Sequence, residues 1–376
     1  MKVVIAIDSF KGSLSSLQAG TAVREAILRL DARTDVTVKP LADGGEGTVE
    51  ALAQGANGEM IEKEVAGPLL KPVTAGYCIL KDTNTAVIEM AAAAGLTLVS
   101  AESRNPLETT TFGVGELIKD AIARDCRNFI IGIGGSATND GGTGMLAALG
   151  YDFLDQKGDP IPLGAKGLKL LHCIKTDNVL PALEECRFQV ACDVTNPLCG
   201  EKGCSAVFGP QKGATPEMIA DMDRWLEKYA ALAQTVSPKA DQHAVGAGAA
   251  GGLGFAFLSF TNAVLKSGIQ IILDEIRLEA DIKDADLVVT GEGRLDAQTV
   301  MGKAPIGVAK LAKKYGKKVI AFSGCVAEGA EICNEHGIDA FFPVLREVTS
   351  LEEALDPANA CRNLKATAYQ VFRLLI

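Results

Sequence analysis

Short apolar runs that stop abruptly at a glycine or an acid recur along the chain, and between them apolar positions fall at helical spacing. Val3-Val4-Ile5-Ala6-Ile7 is rich in β-branched residues and ends at Asp8, which reads as a buried parallel strand. Val23, Ala26, Ile27 and Leu30 then repeat at helical intervals behind Ser15-Ser16-Leu17-Gln18, a capping-box pattern. Val36-Thr37-Val38 predicts a second strand, leading into Asp43-Gly44-Gly45-Glu46-Gly47-Thr48. Strand, helix, strand is how a doubly wound sheet begins.

The far end of the chain repeats the pattern. Asp286–Thr290, Lys318–Phe322 and Ala340–Val344 predict strands, and Ile306, Val308, Ala309 and Leu311 predict a helix. Two strands from the front and three from the back make one five-stranded sheet, so the middle reads as an insertion. That middle has its own predicted strands at Ala86–Met90, Phe129–Ile133 and Phe188–Cys192. It also has a helix over 114–124 with Thr111 as cap, and another near 216–233. The expectation is an α/β protein of two α/β domains. A discontinuous Rossmann-like domain with a mostly parallel sheet comprises 1–60 plus 285–376. A second domain, 61–284, is inserted into it, with the active site in the cleft between them.

Bulk properties narrow the function. A length of 376 residues suits two domains. Only 5% of the chain is aromatic beside 40 glycines, which favours tight turns and small-residue packing. A net charge of -10 and the lack of any basic run argue against nucleic-acid binding. An anionic substrate is still allowed, because a few focused cations set a site's local field. Neither a signal-peptide core nor an apolar run of membrane-spanning length is visible, so a cytoplasmic protein without membrane contact is expected. The ten cysteines include no CxxC pair, and Cys192, Cys199 and Cys204 fit no common zinc spacing. They read as reduced, mostly buried thiols.

Several loops mix glycine with acid where apolar runs end. Asp8-Ser9-Phe10-Lys11-Gly12-Ser13 lies where a strand gives way to a helix, whose N-terminal amides attract anions. Lys11 would add a charge and Ser13 a hydroxyl; a capped turn with a solvated lysine reads equally well. Three glycines and two acids, Asp43 and Glu46, fall within five residues. A plain turn or helix cap rarely needs so many glycines. Gly132-Ile133-Gly134-Gly135-Ser136-Ala137 matches the dinucleotide pattern G-x-G-x-x-A, but the helix is expected only after Asn139-Asp140, and a phosphate-binding backbone nest fits as well. Gly246-Ala247-Gly248-Ala249-Ala250-Gly251 matches G-x-G-x-x-G without a preceding strand. It reads as a small-residue loop, taken as a substrate or nucleotide wall because of its neighbours.

Asp193 directly follows a strand, which suits a base or a metal ligand; an Asx turn is the plainer alternative. Glu292, Arg294 and Asp296 lie together in Gly291–Asp296. An arginine between carboxylates suits phosphoryl transfer, though a structural ion pair is as common a reason for such a trio. Lys303 precedes the next helix, placed to reach phosphate. P-loop, protein-kinase and G-x-S-x-G motifs are absent, and three histidines make a Ser-His-Asp hydrolase improbable.

Taken in order, Asp8–Ser13, Ala42–Thr48, Gly134–Gly142, Cys192–Leu198, Phe208–Ala214 and Thr290–Asp296 resemble the bacterial glycerate kinase family, class I, the glycerate 2-kinase type. The resemblance covers essentially the whole chain. It implies ATP-dependent phosphorylation of D-glycerate with Mg2+, in glycolate, glyoxylate or sugar-acid catabolism. It favours 2-phosphoglycerate over 3-phosphoglycerate. On this reading Asp193, Lys11, Arg294 and Asp296 are catalytic, with Asp193 favoured as base. Asp193, Glu292 and Asp296 are the metal candidates. Asp8, Ser13, Asp43, Glu46, Gly134, Gly135, Ser136, Asn139, Asp140 and Lys303 contact substrate or phosphate. The sequence leaves a homodimer open. Two rivals remain: a nicotinamide dehydrogenase, which lacks the strand context and acid its fingerprint needs, and a non-catalytic anion-binding module, which has no use for several acids.

Overall fold

A computed structural model describes residues 1–45 and 47–376. In chain order the strands are β1 (Lys2–Ile5), β2 (Asp35–Val38), β3 (Gly58–Ala66), β4 (Pro72–Leu80), β5 (Thr85–Glu89), β6 (Asn128–Gly132) and β7 (Asp152–Leu154). There follow β8 (Cys173–Lys175), β9 (Arg187–Ala191), β10 (Ala263–Lys266), β11 (Leu287–Leu295), β12 (Lys318–Val326) and β13 (Ala340–Pro343). The chain forms two compact units.

The first unit comprises Met1–Asp43, Glu50–Asn57 and Ile269–Ile376. Its sheet has the order β13-β12-β11-β1-β2, every neighbouring pair parallel. Two strands come from the front of the chain and three from the back, as the apolar runs predict. Val3, Val4, Ile5, Val288 and Val289 are fully buried, the signature of a strand covered on both faces. Helices Ser16–Leu30 and Pro357–Phe372 pack together and join the core through Ala19, Val23, Ile27, Leu364 and Phe372. Ser15 and Gln18 form the predicted capping box. From the β1–β11 pair the chain order runs outward in both directions. The topological switch point, where such sheets bind ligands, therefore lies at the carboxyl ends of these two strands.

This unit resumes at Ile269, ahead of the expected boundary at 285. The reason is packing: helix Gly268–Glu275 buries Ile269, Ile271 and Ile272. A Cβ on Gly307 would come 2.4 Å from Ile269 Cγ1, so helix Ala304–Lys313 lies directly against it.

The second unit comprises Gly44–Val49 and Gly58–Gly268. Its sheet, β10-β9-β6-β5-β4-β3, is parallel from β10 to β5 and antiparallel over β4 and β3. The three predicted middle strands are β5, β6 and β9. The β3–β4 hairpin was not predicted, because Glu59, Glu62, Lys63 and Glu64 are exposed and break any apolar run. The predicted helices span Phe112–Ala123 and Pro216–Val236. Thr111 occupies the cap position but does not cap its helix. Its hydroxyl donates to Asp140 Oδ2 (3.0 Å) and accepts from Met145 N (2.9 Å). No helix among the described residues is long and apolar enough to cross a membrane, and the ten cysteines are unpaired thiols, five of them buried.

Candidate active site

The β1–β11 switch point carries a cavity of about 460 Å³ in the first unit, whose charged lining is Asp8, Lys11, Asp43, Glu292, Arg294 and Lys303. Asp8 lies three residues past the end of β1; Ala6 N donates to Val289 O (2.8 Å) and Asp8 N to Gly291 O (2.9 Å), extending the ladder to the cavity lining. The chain then turns tightly: Phe10 and Leu14 exchange backbone hydrogen bonds of 2.8 and 3.0 Å. This turn presents Lys11 and Ser13. Ser13 Oγ is buried and has no partner among the described residues, which leaves a hydroxyl for a ligand. Lys11 Nζ lies 3.8 Å from Asp43 Oδ2.

Gly291–Leu295, expected as a loop, continues β11 and pairs with Gly291↔Phe322 through Leu295↔Val326 along β12. The strand persists because Leu295 N finds Ser323 Oγ (3.0 Å) beside the ladder. Glu292 and Arg294, two residues apart and so on one face of the strand, both line the cavity, Glu292 buried and Arg294 exposed toward its mouth. Glu292 Oε1 accepts from Thr299 Oγ1 at 2.8 Å. Lys303 Nζ stands 3.7 Å from Glu292 Oε2 and 3.6 Å from Asp296 Oδ1. Arg294 Nε lies 3.4 Å from Asp296 Oδ2. Sequence reasoning missed Thr299, which no motif marks.

Burial dominates the electrostatics. It pushes Asp8 up to about 7, helped by the Asp43 carboxylate, while the Ser9 amide (2.7 Å) and Lys11 oppose it. Burial also raises Glu292, against its Thr299 hydrogen bond and Lys303. A carboxyl that titrates near neutrality and lines a cavity is suited to proton transfer.

The donor set also bears on a metal. Among the described residues no group of three or more His, Cys, Asp or Glu is arranged to hold one. Mg2+ bound together with phosphates needs only one or two protein carboxylates. Glu292 and Asp296, sharing Lys303, fit that requirement; a metal caged wholly by protein does not fit.

In the second unit the loop after β6 divides sharply. Gly134 and Gly135 are exposed, whereas Ser136, Asn139 and Asp140 are buried. Asp140 Oδ2 accepts from Thr111 N (2.8 Å), Thr111 Oγ1 (3.0 Å), Thr110 Oγ1 (3.2 Å) and Gly144 N (3.3 Å), and Oδ1 accepts from Gly142 N (3.1 Å). Asn139 Nδ2 donates to Ser205 Oγ (2.8 Å). Asn139 and Asp140, expected to contact substrate or phosphate, are therefore turned inward to hold the loop. Lys212 is buried beneath it and donates to Thr138 O at 2.6 Å. Burial lowers Lys212 to about 8, partly offset by Cys204 and Asp140. Its motif, Phe208–Ala214, was visible in the sequence, but this role was not.

Gly246–Gly254 is packed rather than open. Ala250, Gly251 and Gly252 all have positive φ, and a Cβ on Gly251 would lie 2.0 Å from Thr138 O. Only glycine fits there, so the small residues serve close packing against the 138–141 loop. Asp193 follows β9, and its Oδ1 accepts from Gly268 N (3.3 Å) after β10. Gly44, with φ +91, packs where a Cβ would meet Gly268 Cα at 2.6 Å and Ala191 Cβ at 2.8 Å. Glu46 lies outside the described residues. The structure thus gathers Asp8, Lys11, Ser13, Asp43, Glu292, Arg294 and Lys303 around one cavity, with Asp296 paired to Lys303. Asp193, Gly134, Gly135 and Ser136 belong to the other unit.

A model of the glycerate kinase family matches residues 3–376. A glycerate kinase from Haemophilus influenzae is 49% identical over 100% of this chain and 99% of its own. A glycerate 2-kinase from Escherichia coli K12 is 47% identical, with 98% of each chain covered. A crystal structure from Salmonella typhimurium LT2, of a protein assigned as glycerate kinase 2, matches with a TM-score of 0.92. It is 48% identical and covers 100% of this chain and 98% of that one.

Proposed function

The chain belongs to the glycerate kinase family, a family of kinases, and from that premise we propose that it transfers the γ-phosphoryl group of ATP, with Mg2+, to D-glycerate. The product is 2-phosphoglycerate in preference to 3-phosphoglycerate, in line with the name of the Escherichia coli relative. The setting is cytoplasmic glycolate, glyoxylate or sugar-acid catabolism. One observation carries the reading: a switch-point cavity that combines cations with buried carboxylates. Phosphoryl transfer needs positioning and charge neutralisation more than covalent chemistry. Lys11 and Arg294 neutralise the glycerate carboxylate or the moving phosphoryl group. Lys303 would hold phosphate, Glu292 and Asp296 would hold the magnesium, and the exposed Gly134 and Gly135 would contribute phosphate or substrate contacts. Bound magnesium supplies charge neutralisation at the phosphates.

The substrate hydroxyl gives up its proton as its oxygen bonds to the γ-phosphorus, and the bond to the leaving ADP oxygen breaks. Two carboxylates are candidates to accept that proton. Asp193, favoured by the sequence, ends β9. Asp8 is favoured by its position, buried on the cavity wall, where burial pushes its carboxyl up to about 7. Asp193 would then orient the hydroxyl. Near-normal turnover in Asp193→Asn would remove it as base.

The direct test is phosphorus NMR of purified protein incubated with D-glycerate, ATP and Mg2+. A phosphoglycerate resonance is expected, its coupling separating the 2- from the 3-phosphate. Folded protein that yields no product overturns the reading.

A further inference from the structure

The lining of the switch-point cavity is charged on some elements and apolar on others. Val344, Leu345, Leu351 and Leu355 form the apolar part, with Leu345 40%, Leu351 75% and Leu355 38% exposed. Large apolar side chains grouped in an open cavity mark a ligand surface more often than a solvated one. The two parts are continuous. Leu355 sits against Gly12, where a Cβ would be 3.9 Å from Leu355 Cδ2, in the same turn that presents Lys11 and Ser13. Asn363 also lines the cavity, and its side-chain amide makes no hydrogen bond among the described residues. An amide offers a donor and an acceptor side by side.

A ligand matching this wall is polyanionic at one end and flat, apolar-faced and polar-edged at the other. We propose that the apolar part is the purine-base subsite of the nucleotide, with Leu345, Leu351 and Leu355 against the ring faces and Asn363 reading the donor–acceptor edge of adenine. The assignment rests on the ATP-dependent reading above and deepens it. It gives the three exposed leucines an occupant, and it orients the phosphates toward Lys11 and Lys303.

Isothermal titration of the full chain with Mg-ADP and, separately, with Mg-pyrophosphate isolates what the base contributes. Wild type binds ADP more tightly than pyrophosphate. Leu351→Asp weakens ADP about tenfold or more and Asn363→Ala about threefold to tenfold, both leaving pyrophosphate unchanged. The exposure of Leu351 makes a folding defect unexpected, and unchanged melting curves check it. Equal ADP and pyrophosphate affinities in wild type, or ADP affinity unmoved in both folded variants, overturns the subsite. Glycerate phosphorylation is measured separately. Base-dependent ADP binding without phosphoglycerate would sink the glycerate reading and leave the subsite standing.

Discussion

Asp8 and Asp140 both lie in glycine-containing loops that follow an apolar strand, yet the fold surrounds them differently. Asp140 is fully enclosed and accepts hydrogen bonds from five donors. Asp8 is nearly as buried, but the structure gives its carboxyl one donor, the Ser9 amide, with Asp43 and Glu292 adding like charge. A buried carboxylate supplied with enough donors is a structural staple. Burial raises both carboxyls, against the hydrogen bonds that Asp140 accepts, but only Asp8 lines a cavity where its proton could be exchanged with a ligand. The density of glycine and acid does not separate the two cases; the hydrogen-bond network and access to the cavity do.

The strongest test of the contrast removes the staple. Asp140→Ala leaves the Thr111, Gly142 and Gly144 amides buried without their acceptor, at about 1–3 kcal/mol each. The second unit should lose cooperative unfolding, seen as collapse of amide-exchange protection around 110–144. Protection close to wild type would show that Asp140 is not what holds the loop.

Asp8→Asn should act the other way round. If Asp8 takes the substrate proton, kcat falls by about 10²–10⁴-fold while the fold survives. The limb of the kcat/KM profile near pH 7 should vanish with it. Loss of turnover with that limb intact would move the base elsewhere, to Asp193 first.

The same variant has a smaller, thermodynamic signature. Burial pushes the Asp8 carboxyl up to about 7 in the native state, against an ordinary 3.8. Between these values the native state holds a proton that the unfolded chain has released. Its contribution is therefore fully present below about pH 4 and declines as pH rises toward 7, by a few kcal/mol. Asp8→Asn cannot titrate, so its melting temperature relative to wild type should rise across this window and then level off. A pH-independent difference would mean that Asp8 is ionised throughout.

Period and run length were enough to read the first sheet with its strand origins, and three of the six strands of the second. β1, β11 and the middle strands are β-branched apolar runs, and nothing else fits them. Other features depend on contacts between residues distant in sequence. Gly291–Leu295 looked like a loop because glycine and charge interrupt it, yet β12 and Ser323 keep it a strand. The G-x-G-x-x-G match at 246–251 looked like a ligand wall, but its glycines answer to Thr138 and Asn139 across the unit. Asp8, Lys11 and Glu292 were legible as candidates because each follows closely on an apolar run, and Lys303 because it precedes a helix. That Asn139 and Asp140 turn inward was not legible, since their partners come from Thr110, Thr111 and Ser205.

Arg294 gives the finest version of the comparison, because it carries charge at the cavity without carrying structure. Its side chain is 67% exposed and its ion pair with Asp296 spans 3.4 Å, so Arg294→Ala should change stability by no more than about 0.5 kcal/mol. Any functional effect is then free of folding effects, and its kinetic form is informative. An arginine that holds the glycerate carboxylate contributes equally to the ground and transition states. Its loss should raise KM for D-glycerate about tenfold and leave kcat within about threefold. An arginine that meets the phosphoryl group only during transfer should give the reverse, with kcat falling at constant KM. We expect the first pattern: Arg294 is largely exposed on the cavity wall while the buried Glu292 pairs with Lys303, so the arginine is positioned for the substrate's fixed charge. The reverse split in steady-state kinetics would reassign it to the transferring group.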